Sequence, residues 1–115
     1  RITHYRVERS RQLRQLYYAR VQNPQVCNMC EMDTIIKYPW TGGIVELHHL
    51  LPLASPLRAE NSATSLDDLV GVCPSCHRSV HRYYSQWLRE QRLQDFSGIE
   101  QARGVYELAK EAIVA

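Results

Sequence analysis

Two Cys-x-x-Cys pairs, separated by 42 residues, constrain the fold of this chain more than any other feature. Cys27 and Cys30 form the first pair, and Cys73 and Cys76 form the second. This spacing is typical of the knuckles that hold structural zinc, and four thiolates complete a tetrahedral site. The sequence carries no secretory signal pattern, which favours a zinc site over two disulfides. The chain must then fold so that residues 31–72 form an insertion between two knuckles that meet.

The length of the chain, 115 residues, fits one domain. A core of this size is stabilised when a bound metal cross-links it. We therefore expect a single domain over residues 1–115. Because the sequence begins with Arg1 and not with methionine, we expect it to be part of a larger protein. No apolar run is long enough to span a bilayer, so we expect no membrane association and a cytoplasmic location.

Basic residues are concentrated at the N-terminal end. Residues 1–30 contain six arginines and one acidic residue, a net charge of +5. Residues 31–115 contain eight basic and eleven acidic residues, a net charge of −3. This asymmetry predicts a polyanionic partner that contacts one face of the protein. The alternative is that the arginines form a solvated helix face.

Hydrophobic spacing predicts three helices. The first, over residues 4–22, would bury a stripe formed by Val7, Leu13, Leu16, Tyr17 and Ala19. The second would run over 75–94, with Pro74 in its first turn. The last would open at a capping box that begins with Ser97. Its apolar face would consist of Ile99, Ala102, Tyr106, Ala109 and Ile113. We interpret the other aromatic side chains as core or dimer contacts (Tyr83, Tyr84 and Trp87) or as packing (Trp40).

Short strands are predicted over residues 34–38, 44–47 and 69–72, with a loop over 51–63. His48 and His49 would lie at the end of the middle strand.

Four of the five histidines fall between Glu46 and Arg82. His77 and His81 are four residues apart on a predicted helix, so they share one face and can hold one ion. A lone pair of this kind is more often structural, but here the second cysteine knuckle fixes the start of the helix. His48 and His49 point to opposite sides of a strand. One of them can then bind the ion while the other takes a proton from a water molecule.

These residues resemble the HNH endonucleases. The resemblance lies in Glu46-Leu47-His48-His49, in Leu50-Leu51-Pro52-Leu53, and in Leu69 followed by Cys73-Pro74-Ser75-Cys76-His77. It is closest to the McrA-like restriction endonucleases, whose HNH domains carry the same two cysteine knuckles. It implies an α+β fold with a ββα-metal (His-Me finger) core over residues 27–85. A basic helix and lead-in over 1–26 and helices over 86–115 would flank this core.

The resemblance also implies roles for individual residues. His49 would be the general base, and the catalytic ion would be held by His48, His77 and His81. The structural zinc would be held by Cys27, Cys30, Cys73 and Cys76. An all-nitrogen ligand set accepts Mn²⁺, Ni²⁺, Co²⁺ or Zn²⁺, and Mg²⁺ less readily. The implied activity is metal-dependent cleavage of DNA, as the cleavage domain of a modification-dependent restriction enzyme. Such a protein would also have a modified-base reader elsewhere, and a homodimer would cut both strands.

Asp68 occupies the position at which the family usually has asparagine. A carboxylate there accepts hydrogen bonds but lacks the donor of an amide, and beside His49 it would raise the pKa of the base. The alternative is that Asp68 only caps a turn opened by Ser65. Asn61 is a weaker candidate for the asparagine role because its spacing is different.

Four arginines are candidates for contacts with DNA phosphates. Arg78 and Arg82 flank the histidines on the predicted helix, and Arg11 and Arg14 lie on the basic helix. An alternative function is a non-catalytic zinc-stabilised module that binds DNA or protein, which leaves the four histidines unexplained. A secreted disulfide-linked toxin is a weaker alternative, because paired cysteine knuckles fit a reducing compartment better.

Overall fold

The computed structural model describes residues 2–52 and 66–114, with side chains from residue 11 onwards. The protein combines helices with a small two-stranded sheet, so the prediction of mixed helix and strand is confirmed. In chain order the elements are α1 (Ile2–Arg20), α2 (Thr34–Lys37), β1 (Glu46–His49), β2 (Leu69–Val72), α3 (Pro74–Glu90) and α4 (Ile99–Glu111). Short 3-10 turns, Pro39–Thr41 and Leu66–Asp68, precede the two strands. Most of the predicted loop over 51–63, which contains Asn61, lies outside the described residues. Ser65 also lies outside them.

The two strands are antiparallel, and their register pairs Glu46 with Val72 and His49 with Leu69. The second strand has the predicted bounds, whereas the first begins two residues later than predicted and includes both histidines. The N–H of Leu50 donates to the carbonyl of Asp68 at 2.9 Å, which extends the pairing beyond the strand end. The described strands therefore hold the histidine pair within the sheet and not in a loop after it.

Helix α3 follows β2 directly and begins, as predicted, with a proline in its first turn. It ends four residues before the predicted end. Arg92 adopts a left-handed φ of 57°, and its N–H donates to the carbonyl of Arg89. The N–H of Leu93 donates to the carbonyl of Leu88 at 2.9 Å. These two bonds form a Schellman motif, which terminates the helix at this point.

The strand predicted over residues 34–38 is wrong, because Thr34–Lys37 forms the short helix α2. The carboxylate of Asp33 accepts hydrogen bonds from the backbone N–H groups of Ile35 and Ile36, both at 3.0 Å. This N-cap satisfies the first helical donors and outweighs the β preference of a Thr-Ile-Ile run. Trp40, predicted to be packed, is 80% exposed, because the 3-10 turn places its ring outward against the edge of Tyr38.

Helix α1 is attached to the sheet by two tyrosines. The N–H of Gly71 donates to the buried Tyr17 hydroxyl at 2.8 Å, and the Tyr18 hydroxyl donates to the carbonyl of Val45 at 2.9 Å. The predicted apolar stripe is partly wrong, since Leu16 is 50% exposed and Ala19 is also exposed. The hydrogen-bonding tyrosines therefore determine which face of α1 meets the sheet, and Val7 has no described side chain.

The core lies between α3, α4 and the sheet, and it includes Leu50, Val72, Val80, Tyr84, Phe96, Val105 and Tyr106. The capping box predicted to begin at Ser97 is wrong, because no side chain caps the start of α4. Gly98 is the N-cap, and the Gln101 side chain accepts from the N–H of Ser97 at 2.8 Å. Ile113, predicted to belong to the apolar face, lies beyond the helix and is 41% exposed.

Within the described ranges no helix has the length and apolar character needed to cross a membrane.

Candidate functional site

The two cysteine knuckles meet, as their spacing predicts, and the four sulfur atoms lie within 4.8 Å of one another. In the first knuckle the N–H of Glu31 donates to the carbonyl of Cys27, and Glu31 turns the chain with a left-handed φ of 66°. The N–H of Cys30 then points at the sulfur of Cys27, 3.4 Å away. All four cysteines are free thiols, and together they can hold a structural metal such as zinc.

The thiols of this site differ in how readily they ionise. Burial raises the pKa of Cys73 and, more strongly, that of Cys76, where the neighbouring cysteines add to the effect. Burial also opposes ionisation of Cys27, but backbone hydrogen bonds from Cys30, Cys73 and Met29 outweigh it and lower the pKa overall. A bound metal requires thiolates, so its binding must release protons from the buried thiols.

Three histidines form a second cluster, in which one nitrogen from each lies within 4.8 Å of the others. His48 comes from β1, and His77 and His81 come from successive turns of α3. The three pairs of ring centroids are 5.1–5.4 Å apart. His48 is fully buried and His81 is exposed, so the cluster is reachable from solvent on one side. The arrangement is suited to one metal ion with open coordination positions.

The surroundings of two histidines in this cluster, His48 and His81, lower their pKa values. Burial, followed by the electrostatic influence of His81, His77 and His49, lowers the pKa of His48 to about 3. Burial and the neighbouring His77 also lower the pKa of His81. Imidazole binds a metal only in its neutral form, so the environment of these rings favours coordination near neutral pH.

Hydrogen bonds orient two of these rings. The Nε2 atom of His48 lies 3.1 Å from the hydroxyl of Tyr84, which itself donates to the carbonyl of Leu50 at 2.9 Å. The Nδ1 atom of His48 is buried and has no hydrogen-bond partner among the described residues. The Nδ1 atom of His77 lies 2.8 Å from a carboxylate oxygen of Glu46. Each ring therefore keeps one nitrogen available for the cluster.

A cavity of about 350 Å³ adjoins the histidine cluster. It is lined by Leu13, Arg14, Glu46, Leu47, His49 and His77. His49, the predicted general base, therefore lines the same cavity as His77, a predicted ion ligand, and Arg14 of α1. A basic side chain and an imidazole beside a candidate ion site are groups that can assist the hydrolysis of a phosphodiester.

Four other predicted site residues are not among those that line this cavity: Asp68, Arg11, Arg78 and Arg82. Asp68 ends the 3-10 turn before β2, and its carboxylate is 3.8 Å from the guanidinium of Arg103. An ion pair with α4 was not among the roles predicted for it. Three predicted DNA contacts are exposed: Arg11, Arg78 and Arg82. Arg78 and Arg82 lie on α3, the helix that carries His77 and His81. They are placed where contacts with a polyanion are possible.

Two residues of this site were not assigned to it from the sequence. Tyr84 was interpreted as a core or dimer contact, and Glu46 was quoted only as part of a motif. Residues 77, 81 and 84 share one helix face, so their spacing places Tyr84 beside the histidines. Residues 46 and 48 share one strand face, which places Glu46 beside His48. These two periodicities were the signals available in the sequence.

The chain is similar to the type IV methyl-directed restriction enzyme EcoKMcrA of Escherichia coli (strain K12). The two are 30% identical over 69 residues, which is 60% of this chain. The chain spans about a fifth of the length of that relative, 22%. No family model matches the chain, and no solved structure matches it significantly.

Proposed function

We propose that this chain is a metal-dependent DNA endonuclease of the HNH type, with a ββα-metal core formed by β1, β2 and α3. The observation that carries the proposal is the cluster of His48, His77 and His81 beside a cavity lined by His49 and Arg14. The similarity to a restriction enzyme supports the same reading. By that similarity, the chain would be the cleavage domain of a modification-dependent restriction enzyme.

The histidine cluster fits a divalent ion. His48 offers a buried Nδ1 atom that has no hydrogen-bond partner among the described residues. His77 and His81 would complete the set, with Mn²⁺, Ni²⁺, Co²⁺ or Zn²⁺ favoured over Mg²⁺ by the nitrogen donors. The bound ion would supply Lewis-acid stabilisation of the negative charge that develops on the departing oxygen.

Two residues of the cavity, His49 and Arg14, would perform the proton transfer and hold the substrate. His49 would accept a proton from the attacking water, because a neutral imidazole is an effective base near pH 7. Arg14 would hold the phosphate group by charge-assisted hydrogen bonds. Arg11, Arg78 and Arg82 would contact neighbouring phosphates, and these contacts would be independent of sequence.

The remaining assignments concern the protein as a whole. We propose that residues 1–115 form a single domain, with its zinc-stapled core over 27–85, inside a larger protein. The full protein would include a reader of modified bases, and two copies would cut the two strands. Asp68, which is near Arg103, would help to hold the end of the sheet that carries His49.

Plasmid nicking tests the proposed activity. The zinc-loaded protein would be incubated with supercoiled plasmid and each of the five ions in turn. We expect nicking with at least one of the ions, and His49→Ala should lower the rate by about 10²- to 10⁴-fold, as for loss of a general base. His4→Ala is the matched control, because it removes the histidine that precedes the cluster in sequence.

Two outcomes would contradict the proposal. Equal nicking by the wild type and His49→Ala would exclude His49 as the base. DNA binding without nicking, with any of the five ions, would instead favour a non-catalytic zinc-stabilised module.

A further inference from the structure

We propose that Tyr84 and Glu46 are positioning residues that fix the tautomers of His48 and His77, so that one lone pair of each ring faces a shared ion. This inference deepens the proposed function, since the ion is the one assigned to catalysis. Neither residue would be a ligand of the ion, and Glu46, which also lines the cavity, would act through its hydrogen bond to His77. Their effect would be to prepare two nitrogen ligands before an ion arrives.

The tautomer of His48 follows from the single proton of the Tyr84 hydroxyl. The hydroxyl lies 2.9 Å from the carbonyl of Leu50 and 3.4 Å from that of Ala102. Carbonyl oxygens only accept, so the hydroxyl hydrogen points towards them and away from the imidazole. The hydroxyl oxygen must then accept from Nε2 of His48, 3.1 Å away. A neutral ring carries one N–H, so Nδ1 keeps its lone pair.

The environment of His48 Nδ1 supports a ligand role for this atom. It is buried and has no hydrogen-bond partner within the described parts of the chain. A buried acceptor without a donor is unfavourable, and such atoms are rare in folded proteins. Its neighbours in the cluster, His77 and His81, are themselves metal-binding side chains. An ion bound between them would satisfy the atom.

The tautomer of His77 follows from its carboxylate partner. An ionised carboxylate only accepts, so Nδ1 of His77, at 2.8 Å from Glu46, must carry the hydrogen. In the neutral ring that binding of a metal requires, the Nε2 atom then keeps the lone pair. Glu46 is two residues before His48 on the same strand, so one face of β1 supplies both a ligand and the partner of another ligand. This arrangement matches the outer partners that orient metal-bound histidines.

Nitrogen-detected NMR of the histidine side chains tests the assignment directly. The protein would retain its zinc, with no other ion added. We expect His48 in the form protonated at Nε2 and His77 in the form protonated at Nδ1. The opposite tautomer at either ring in the wild type would overturn the inference for that ring.

Titration with Mn²⁺ alone measures the consequence for affinity. Tyr84→Phe and Glu46→Ala should each weaken Mn²⁺ binding roughly 10- to 100-fold, the usual effect of losing an outer partner. Glu46→Asp, which keeps the carboxylate, should recover part of the affinity. Tyr83→Phe and Glu100→Ala are the matched controls. Tyr83 lines a separate groove and Glu100 is an exposed acid on α4, so both should bind as wild type.

The outcomes separate this inference from the proposed function. Mn²⁺ affinities of Tyr84→Phe and Glu46→Ala within twofold of the wild type would overturn it. The Glu46 side chain is half exposed, so Glu46→Ala should remain folded even if loss of the buried Tyr84 hydroxyl unfolds the protein. Correct tautomers and weakened Mn²⁺ binding, without nicking in any ion, would support the inference while contradicting the proposed nuclease.

Discussion

Gly71 shows how much of the architecture depends on one residue. Its N–H donates to the hydroxyl of Tyr17 and its carbonyl accepts from the N–H of Asn28, each at 2.8 Å. A Cβ atom here would lie 2.8 Å from a methyl group of Val45. The residue therefore joins α1, the first cysteine knuckle and β2, and any side chain would force these segments apart.

Alanine at Gly71 should destabilise the protein by about 1–3 kcal/mol, the usual cost of overpacking a close contact. Gly104→Ala is the matched control, because Gly104 is exposed on α4 and an added Cβ meets nothing within 4 Å. It should stabilise by about 0.5–1 kcal/mol through helix propensity. Urea unfolding of both variants measures the difference, and equal effects would contradict the close approach at Gly71.

At the scale of elements, the packing of α1 against the sheet depends more on hydrogen bonds from two tyrosines than on an apolar stripe. Leu16 is half exposed, whereas Tyr17 and Tyr18 form hydrogen bonds to the backbone of the sheet. The anchored helix contributes Arg14 to the cavity that contains His49. The position of the basic helix against the candidate site is therefore a consequence of these tyrosines.

Tyr17→Phe should destabilise the protein by about 1–3 kcal/mol, because it leaves the buried N–H of Gly71 without an acceptor. Tyr18→Phe should cost less, because it removes the donor to a carbonyl in a partly buried bond. Thermal unfolding compares the two under the same conditions. A larger loss in Tyr18→Phe would show that the hydroxyl of Tyr17 is not the main anchor.

In the whole molecule, the two clusters are coupled through the start of α3. Cys76 belongs to the four-cysteine cluster, and the next residue, His77, belongs to the histidine cluster. The N–H of His77 also donates to the carbonyl of Cys73 at 2.8 Å. A metal held by the cysteines would therefore fix the helix turn that presents the histidine ligands.

Metal content and stability should consequently respond unequally to changes in the two clusters. Cys73→Ser should lose one zinc ion per chain, lower the unfolding midpoint strongly and weaken Mn²⁺ binding at the histidines. His81→Ala should weaken Mn²⁺ binding but retain zinc and most of the stability. Elemental analysis and thermal unfolding check both variants. Unchanged stability after removal of zinc by a chelator would contradict a structural role for the cysteine site.

Spacing along the chain predicted the parts of this protein that depend on local geometry. The meeting of the two knuckles follows from their paired cysteines, and the shared face of His77 and His81 follows from the helical period. The helical conformation of α2 and the end of α3 did not follow from the hydrophobic pattern. They depend on the Asp33 cap and on the left-handed conformation of Arg92, which compete with propensity.

The sequence by itself determined which side chains are available for metal and proton chemistry, because residue type and short spacing set the ligands a strand or helix can present. Only the tertiary structure decided how they combine. Packing of α3 on β1 places Tyr84 and Glu46 against two histidines, and docking of α1 brings Arg14 to the cavity beside His49. The residues in these contacts are up to 36 positions apart in the sequence, so no local pattern encodes their partnership.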